Sequence, residues 1–156
     1  MNIAKYVLMI LVLQISNLFC QQDKVKSFTE LLDNLNSGEI ARVIIHYNKC
    51  KLYIDGEEKN APEAIGGMDL KTFEYFAIGS IANDKQIITS SHTVLISHPR
   101  YGYVLNYVKI RLYDDNSVEI IARYLDPKTY EIKMDETFLS VIDDGLNNGG
   151  INIFIN

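Results

Sequence analysis

The chain has no tryptophan and, across 156 residues, only 3 prolines, 3 histidines and 2 cysteines. Each scarcity removes a class of protein. Without tryptophan, the indole signature of lipocalin-type carriers is impossible. Cys20 closes the first apolar run, so Cys50 has no partner in the rest of the chain and hydrophobic packing must hold the fold. His46, His92 and His98 are scattered, with no H-E-x-x-H and no paired cysteines, so no zinc-ligand spacing exists. Asp114-Asp115-Asn116 offers oxygen atoms but lacks the spaced acids and terminal glutamate of a calcium loop, and reads as a turn. Phosphate loops and dinucleotide fingerprints are missing, and Gly66-Gly67 is an isolated pair. Positive charge is also short, with 15 Lys and Arg against 20 Asp and Glu and a net charge of −5. An acidic surface repels phosphate backbones, which argues against nucleic acid. No cofactor and no metal is expected.

One long uncharged run is present, at the start. Lys5 precedes Tyr6 to Ile15, then Ser16-Asn17-Leu18-Phe19-Cys20, then the polar Gln21-Gln22-Asp23-Lys24. Such a core falls short of the roughly 20 apolar residues that cross a bilayer. With its positive flank it reads as a secretory signal peptide over residues 1–20, leaving Gln21 as the new N-terminus. Two rivals are weaker. Gln14 and Asn17 shorten a retained anchor, and Phe19 stands where lipoprotein acylation at Cys20 needs a small residue. The expectation is a secreted protein, extracellular or in a bacterial periplasm, with no membrane span after cleavage. Residues 21–156 suffice for one domain with a real core.

That remainder opens with a helix. Ser27-Phe28-Thr29-Glu30 forms a capping box, Phe28, Leu31, Leu32 and Leu35 make one apolar stripe, and Gly38 ends it. The period then changes to two. Val43, Ile45 and Tyr47 alternate with Arg42, Ile44 and His46, and Lys51 to Ile54 extends the sheet. Residues 55–72, with Gly56, Pro62, Gly66 and Gly67, read as the longest loop, and Phe73 to Ala82 as a strand. Ile87–Ile96 follows. Next comes a hairpin with Val104, Val108, Ile110 and Leu112 on one face, turned at Asp114–Ser117 into Val118, Ile120, Ala122 and Tyr124. Tyr130, Ile132 and Met134 alternate with Glu131, Lys133 and Asp135; Thr137–Ile142 and Ile151–Ile155 are the last strands. Short turns force antiparallel pairing. The expected fold is therefore mainly β, with a small α contribution (α+β). It is an antiparallel meander of about 7–9 strands, curved or barrel-like, with one N-terminal helix packed on it or plugging one end.

The order of these elements resembles the VirK-like family of small exported proteins. Ser27-Phe28-Thr29-Glu30-Leu31-Leu32, Leu35, Gly38, Val43 and Ile45 leading to Lys49-Cys50 are similar to its opening block. Gly66-Gly67 lies where the family has a Gly-rich segment, and Ser90-Ser91-His92-Thr93 is similar to its central Ser/His strand. Tyr107 through Asn116-Ser117-Val118, with Leu125-Asp126 and Tyr130, resembles its tyrosine-rich hairpin. The resemblance implies a single VirK-like β-rich domain over residues 21–156, associated in some bacteria with host interaction and with no defined activity. One departure stands out: members of that family tend to carry a second cysteine in the closing strands, where this chain has Ser140.

Two groups of residues invite a chemical reading. Ser90 and His92 share a strand face, as a nucleophile and its base must, whereas Ser91 points away. No G-x-S-x-G elbow exposes the serine, so a structural pair is the favoured reading and a small extracellular hydrolase the alternative. The second group is a stripe of Tyr101, Tyr103, Tyr107, Lys109, Arg111 and Tyr113 on one face of a strand. Flat apolar area with cationic and hydrogen-bonding tips suits an extracellular protein partner, a glycan or a small ligand, although tyrosine also simply suits the solvated face of a sheet. The sequence thus points to a secreted, non-enzymatic binding protein. A carrier enclosing a small apolar ligand in a barrel cavity is a further alternative.

Overall fold

The computed structural model describes residues 23–155; the leader expected over residues 1–20 lies outside them. Eleven strands and one helix follow in order: β1 (Lys24–Val25), α1 (Phe28–Asn36), β2 (Ala41–His46), β3 (Lys51–Ile54), β4 (Glu57–Lys59), β5 (Ile65–Leu70), β6 (Glu74–Phe76), β7 (Ile87–His98), β8 (Gly102–Tyr113), β9 (Ser117–Leu125), β10 (Ile132–Val141) and β11 (Ile151–Ile155). A 3-10 turn, Tyr47–Lys49, joins β2 to β3.

The helix forms as its sequence dictates. Ser27 Oγ accepts from the Glu30 N–H at 3.2 Å, and Glu30 reaches back to the Lys26 N–H at 2.8 Å, one residue before its usual target. At the far end Gly38 takes φ +87, and the Gly38 and Glu39 N–H groups donate to Leu35 and Asn34, which closes the last turn. Phe28, Leu31 and Leu35 are buried. The Phe28 N–H donates to Asn116 Oδ1 at 2.7 Å, fixing the helix against the β8–β9 turn.

Strands pair antiparallel throughout the two sheets. The small sheet has the order β1-β11-β2-β5 and the large one β4-β3-β10-β9-β8-β7-β6. Val43, Ile45, Met68, Leu70, Ile151 and Ile153 of the small sheet meet Leu52, Ile88, Ile110, Leu112, Val118, Ile120 and Phe138 of the large one, and the helix joins the same core. Each fully buried aliphatic side chain contributes about 1.5–3 kcal/mol, so the layers cohere without a disulfide. Cys50 is free and buried.

The mainly β, antiparallel architecture with one N-terminal helix is as expected. Four details differ. The sheet does not close into a barrel and is not one meander: after β10 the chain turns through Asp143–Gly150, makes a parallel bridge at Ile142 and Ile151, and enters the other layer. Residues 55–72 are not a loop but contain β4 and β5. Gly66 and Gly67 lie in β5, paired with β2, and are glycine because a Cβ on Gly66 would lie 2.9 Å from the Tyr47 ring and one on Gly67 3.2 Å from Ile44. Between Phe73 and Ala82 only Glu74–Phe76 is extended. Positive φ at Gly79 and Ala82, with Asn83 bonding Ala77 and Ile81, folds the remainder into turns. Finally, Tyr130 has φ +58 and the register shifts between Ile132 and Met134, so Tyr130 and Ile132 are exposed and Met134 alone keeps the inward position.

Candidate binding groove

The two layers are unequal in length, and that mismatch makes the groove. β7 and β8 each run 12 residues, whereas the small sheet's strands run 2 to 6. Residues directly opposite in antiparallel strands share a face, so the register defines rows across the inner face of the large sheet. Phe138, Ile120, Ile110 and Ser90 form one row, buried beneath the small sheet. The next row is Glu136, Ala122, Val108 and His92; the one beyond is Met134, Tyr124, Asn106 and Val94. The cover over these two rows is partial: Ala122 is buried and Val108 half-buried, whereas His92 and Val94 are exposed. Ala122 and Val108 are small, which leaves a depression between Glu136 at one end and His92 at the other.

Tyr47, on the 3-10 turn, and Pro62 and Ala64, ahead of β5, wall the depression into a cleft of about 210 Å³. Its ring lies 4.7 Å from Phe138, tilted by 57°. The missing Cβ of Gly66 gives the Tyr47 ring its room. A second hollow of about 210 Å³ continues toward Met68, His92 and Val94, sharing Tyr47, Asn106 and Val108 with the first. At the distal end His98, Tyr101 and Tyr124 cluster, the His98 and Tyr101 rings stacked 4.9 Å apart and Tyr124 set at an angle to both.

Electrostatics set the groove apart. Burial pushes the Glu136 carboxyl up from its ordinary value, and no neighbouring charge offsets that. Burial likewise raises the Tyr47 hydroxyl, with Cys50, Tyr124 and Glu136 adding to it, which places those groups around one another. Among the described residues Glu136 has no ion pair and no hydrogen bond. Its chain neighbour Asp135, on the outer face, pairs with Arg123 at 3.0 Å.

The stripe singled out from sequence lies elsewhere. Tyr103, Tyr107, Lys109, Arg111 and Tyr113 occupy the outer face of β8, behind the groove. Arg111 pairs with Glu119 at 2.6 Å and the Tyr113 hydroxyl donates to the same carboxylate at 3.3 Å. The Glu119 hydrogen bond holds the Arg111 guanidinium above its ordinary value. Tyr107 sits opposite Arg123, and Tyr103 is 69% exposed. Tyr101 is separated from this stripe, because Gly102 at φ +71 turns its ring toward His98 and Tyr124.

Ser90 and His92 do share the inner face, yet no relay connects them. The buried Ser90 hydroxyl donates to the Thr72 carbonyl at 2.6 Å. Asp69 lines the same surface hollow but is held by Arg42 at 2.8 Å and Lys71 at 3.6 Å, which keeps its carboxyl low. Among the described residues no cluster of three or more His, Cys, Asp or Glu converges as a metal site, and no helix is long and apolar enough to cross a membrane. Ser140 lies across from Cys50, one step beyond the Leu139–Lys51 pair, and accepts from the Gly150 N–H at 2.9 Å. Burial raises the Cys50 thiol, which disfavours the thiolate.

Sequence reading passed over Glu136, Asn106 and Tyr47. A signal for two of them existed: Asn106 interrupts Val104 and Val108, and Glu136 interrupts Met134 and Phe138, each a polar residue at an inward position.

Fold and groove together define a small two-layer antiparallel β protein with an open, partly apolar inner face. The chain belongs to the VirK family, whose model, described as VirK protein, matches residues 24–130. It is also similar to the crystal structure of a VirK family protein from Legionella pneumophila. That likeness has a TM-score of 0.64 at 17% identity and covers 84% of this chain and 98% of that one. At this identity it shows the fold. No curated protein sequence matches the chain.

Proposed function

We propose that the chain is an exported, non-enzymatic binding protein whose ligand enters the groove over Ala122 and Val108. Export is supported by the leader pattern of Lys5, Tyr6–Ile15 and Cys20, which leaves residues 21–156 as the working domain, secreted or periplasmic. The observation that carries the binding role is the partly covered inner row, where two adjoining hollows have apolar area at their centre and polar groups at both ends. Two adjoining hollows of this kind fit the usual pattern of small-ligand sites, apolar walls with a few placed polar atoms. The Ser90 hydroxyl directed at a carbonyl, with Asp69 held by Arg42, supports the non-enzymatic side. On the outer stripe Arg111 and Tyr113 are engaged with Glu119 across the strands, which supports a structural role for those two.

The test is fluorescence of a bis-anilinonaphthalene probe. Val108→Arg fills the cleft with a charged side chain that can reach solvent, and should abolish probe binding with little change in melting temperature. Tyr103→Ala, on the outer face, should leave it intact. Loss of binding in the outer-face variant alone would overturn the assignment.

A further inference from the structure

We infer that the Glu136 end of this groove recognises an organic cation, an alkylammonium group seated against the carboxylate and the Tyr47 and Tyr124 side chains that line the same hollow. This rests on the groove being the binding site and names the class of ligand.

Three observations support it. The first is the pairing of charges on the same strands. On the outer face Arg111 answers Glu119 and Arg123 answers Asp135. On the inner face Glu136 has no answering cation among the described residues, and no Lys or Arg lines either hollow. Glu136 is half-buried, so its carboxylate gives up part of its hydration in the groove, and an incoming cation would pair it.

The second is the company the carboxylate keeps. Tyr47 and Phe138 stand 4.7 Å apart at a 57° tilt, and Tyr124 is in the neighbouring row. Aromatic faces attract a desolvated cation through their quadrupole, and Tyr47 and Tyr124 line the same hollow as Glu136. A carboxylate or phosphate would find no basic partner there, and the net charge of −5 repels it at longer range. The third is size: about 210 Å³ at the Glu136 end suits a compact head group rather than a folded partner.

Three probes of matched shape separate the outcomes: choline, its uncharged carbon isostere 3,3-dimethylbutan-1-ol, and the anion 3,3-dimethylbutanoate. Binding is read from the methyl resonances of Ala122 and Val108 in the purified protein. Choline should shift them with at least tenfold tighter affinity than the alcohol, and the anion should leave them unmoved. Glu136→Gln should erase the preference without unfolding the protein. Equal binding of choline and alcohol would overturn the cation inference and leave the groove standing. Silence from all three would also overturn it, while the fluorescent probe and Val108→Arg judge the groove independently.

Discussion

Glu136 and Asp135 are adjacent on β10 and meet opposite environments, because successive strand residues point to opposite faces. Asp135 pairs with Arg123 in solvent, whereas Glu136 enters the groove and burial lifts its carboxyl above the ordinary 4.5. A raised acid holds its proton more tightly in the folded state, so ionising it subtracts stability as pH rises past the ordinary value. Glu136→Gln should therefore raise the melting temperature at about pH 7, with the gain vanishing at about pH 3, where the carboxyl is protonated folded or unfolded. Thermal melts at the two pH values check this. No gain at neutral pH would mean that the groove leaves this carboxylate well solvated. A second residue-scale case is Ser140, which faces Cys50 across the β10–β3 ladder. Ser140→Cys should oxidise to a disulfide with Cys50, and a loop of this length implies roughly 4 kcal/mol of stabilisation. Thiol titration and the denaturation midpoint read it. Two titratable thiols surviving oxidant would show that the side chains diverge.

Among the elements, the sheet edges differ in how they are guarded. Unpaired edges invite pairing with another chain unless they are short, charged or covered. β1 has two residues and β6 three; β4 reads Glu57-Glu58-Lys59; β5 carries Asp69, bound to Arg42. β7 has none of these guards. β6 covers only Ile87–Thr89, and from Ser90 to His98 the strand holds no Lys, Arg, Asp, Glu or Pro. The Asp114 N–H donates to the Gln86 carbonyl, which assigns even-numbered β7 residues to the β8 ladder. Ser91, Thr93, Leu95 and Ser97 therefore present backbone donors and acceptors outward. Leu95 is itself 56% exposed. At high concentration the protein should self-associate through this edge, and Leu95→Lys should keep it monomeric in sedimentation velocity. A wild-type chain that sediments as a monomer throughout would refute the assignment.

At the scale of the whole molecule, one core serves both layers and the groove floor continues its pattern. Ile120 is fully buried in the row adjacent to Ala122. Ile120→Ala should cost about 2–5 kcal/mol by removing contacts from both sheets. Guanidinium unfolding measures the loss, and a midpoint shift of well under 1 kcal/mol would imply that the layers close over the gap. Legibility followed the range of the forces involved. Helix α1 and strands β7, β8 and β9 could be read directly, since caps, turns and period two act over a few neighbours. The segment 55–72 misled because glycine signals a loop locally, while Gly66 and Gly67 are there to admit Tyr47 from the 3-10 turn and Ile44 from the paired strand β2, both far away in sequence. The stripe of Tyr103 to Tyr113 was visible as a face, but its pairing with Glu119 was not, since that depends on the β8–β9 register.

Sequence by itself determined the helix and its ends, the antiparallel character, the absence of an internal disulfide after Cys20 and the VirK resemblance. All of these depend on short-range chemistry or on residue identity. Tertiary structure alone decided that the strands divide into two layers, and that the longer layer overhangs the shorter. It also decided that Glu136 lines the same hollow as Tyr47. Those outcomes depend on which strand meets which, and the free energy of that choice comes from contacts between residues far apart in the chain.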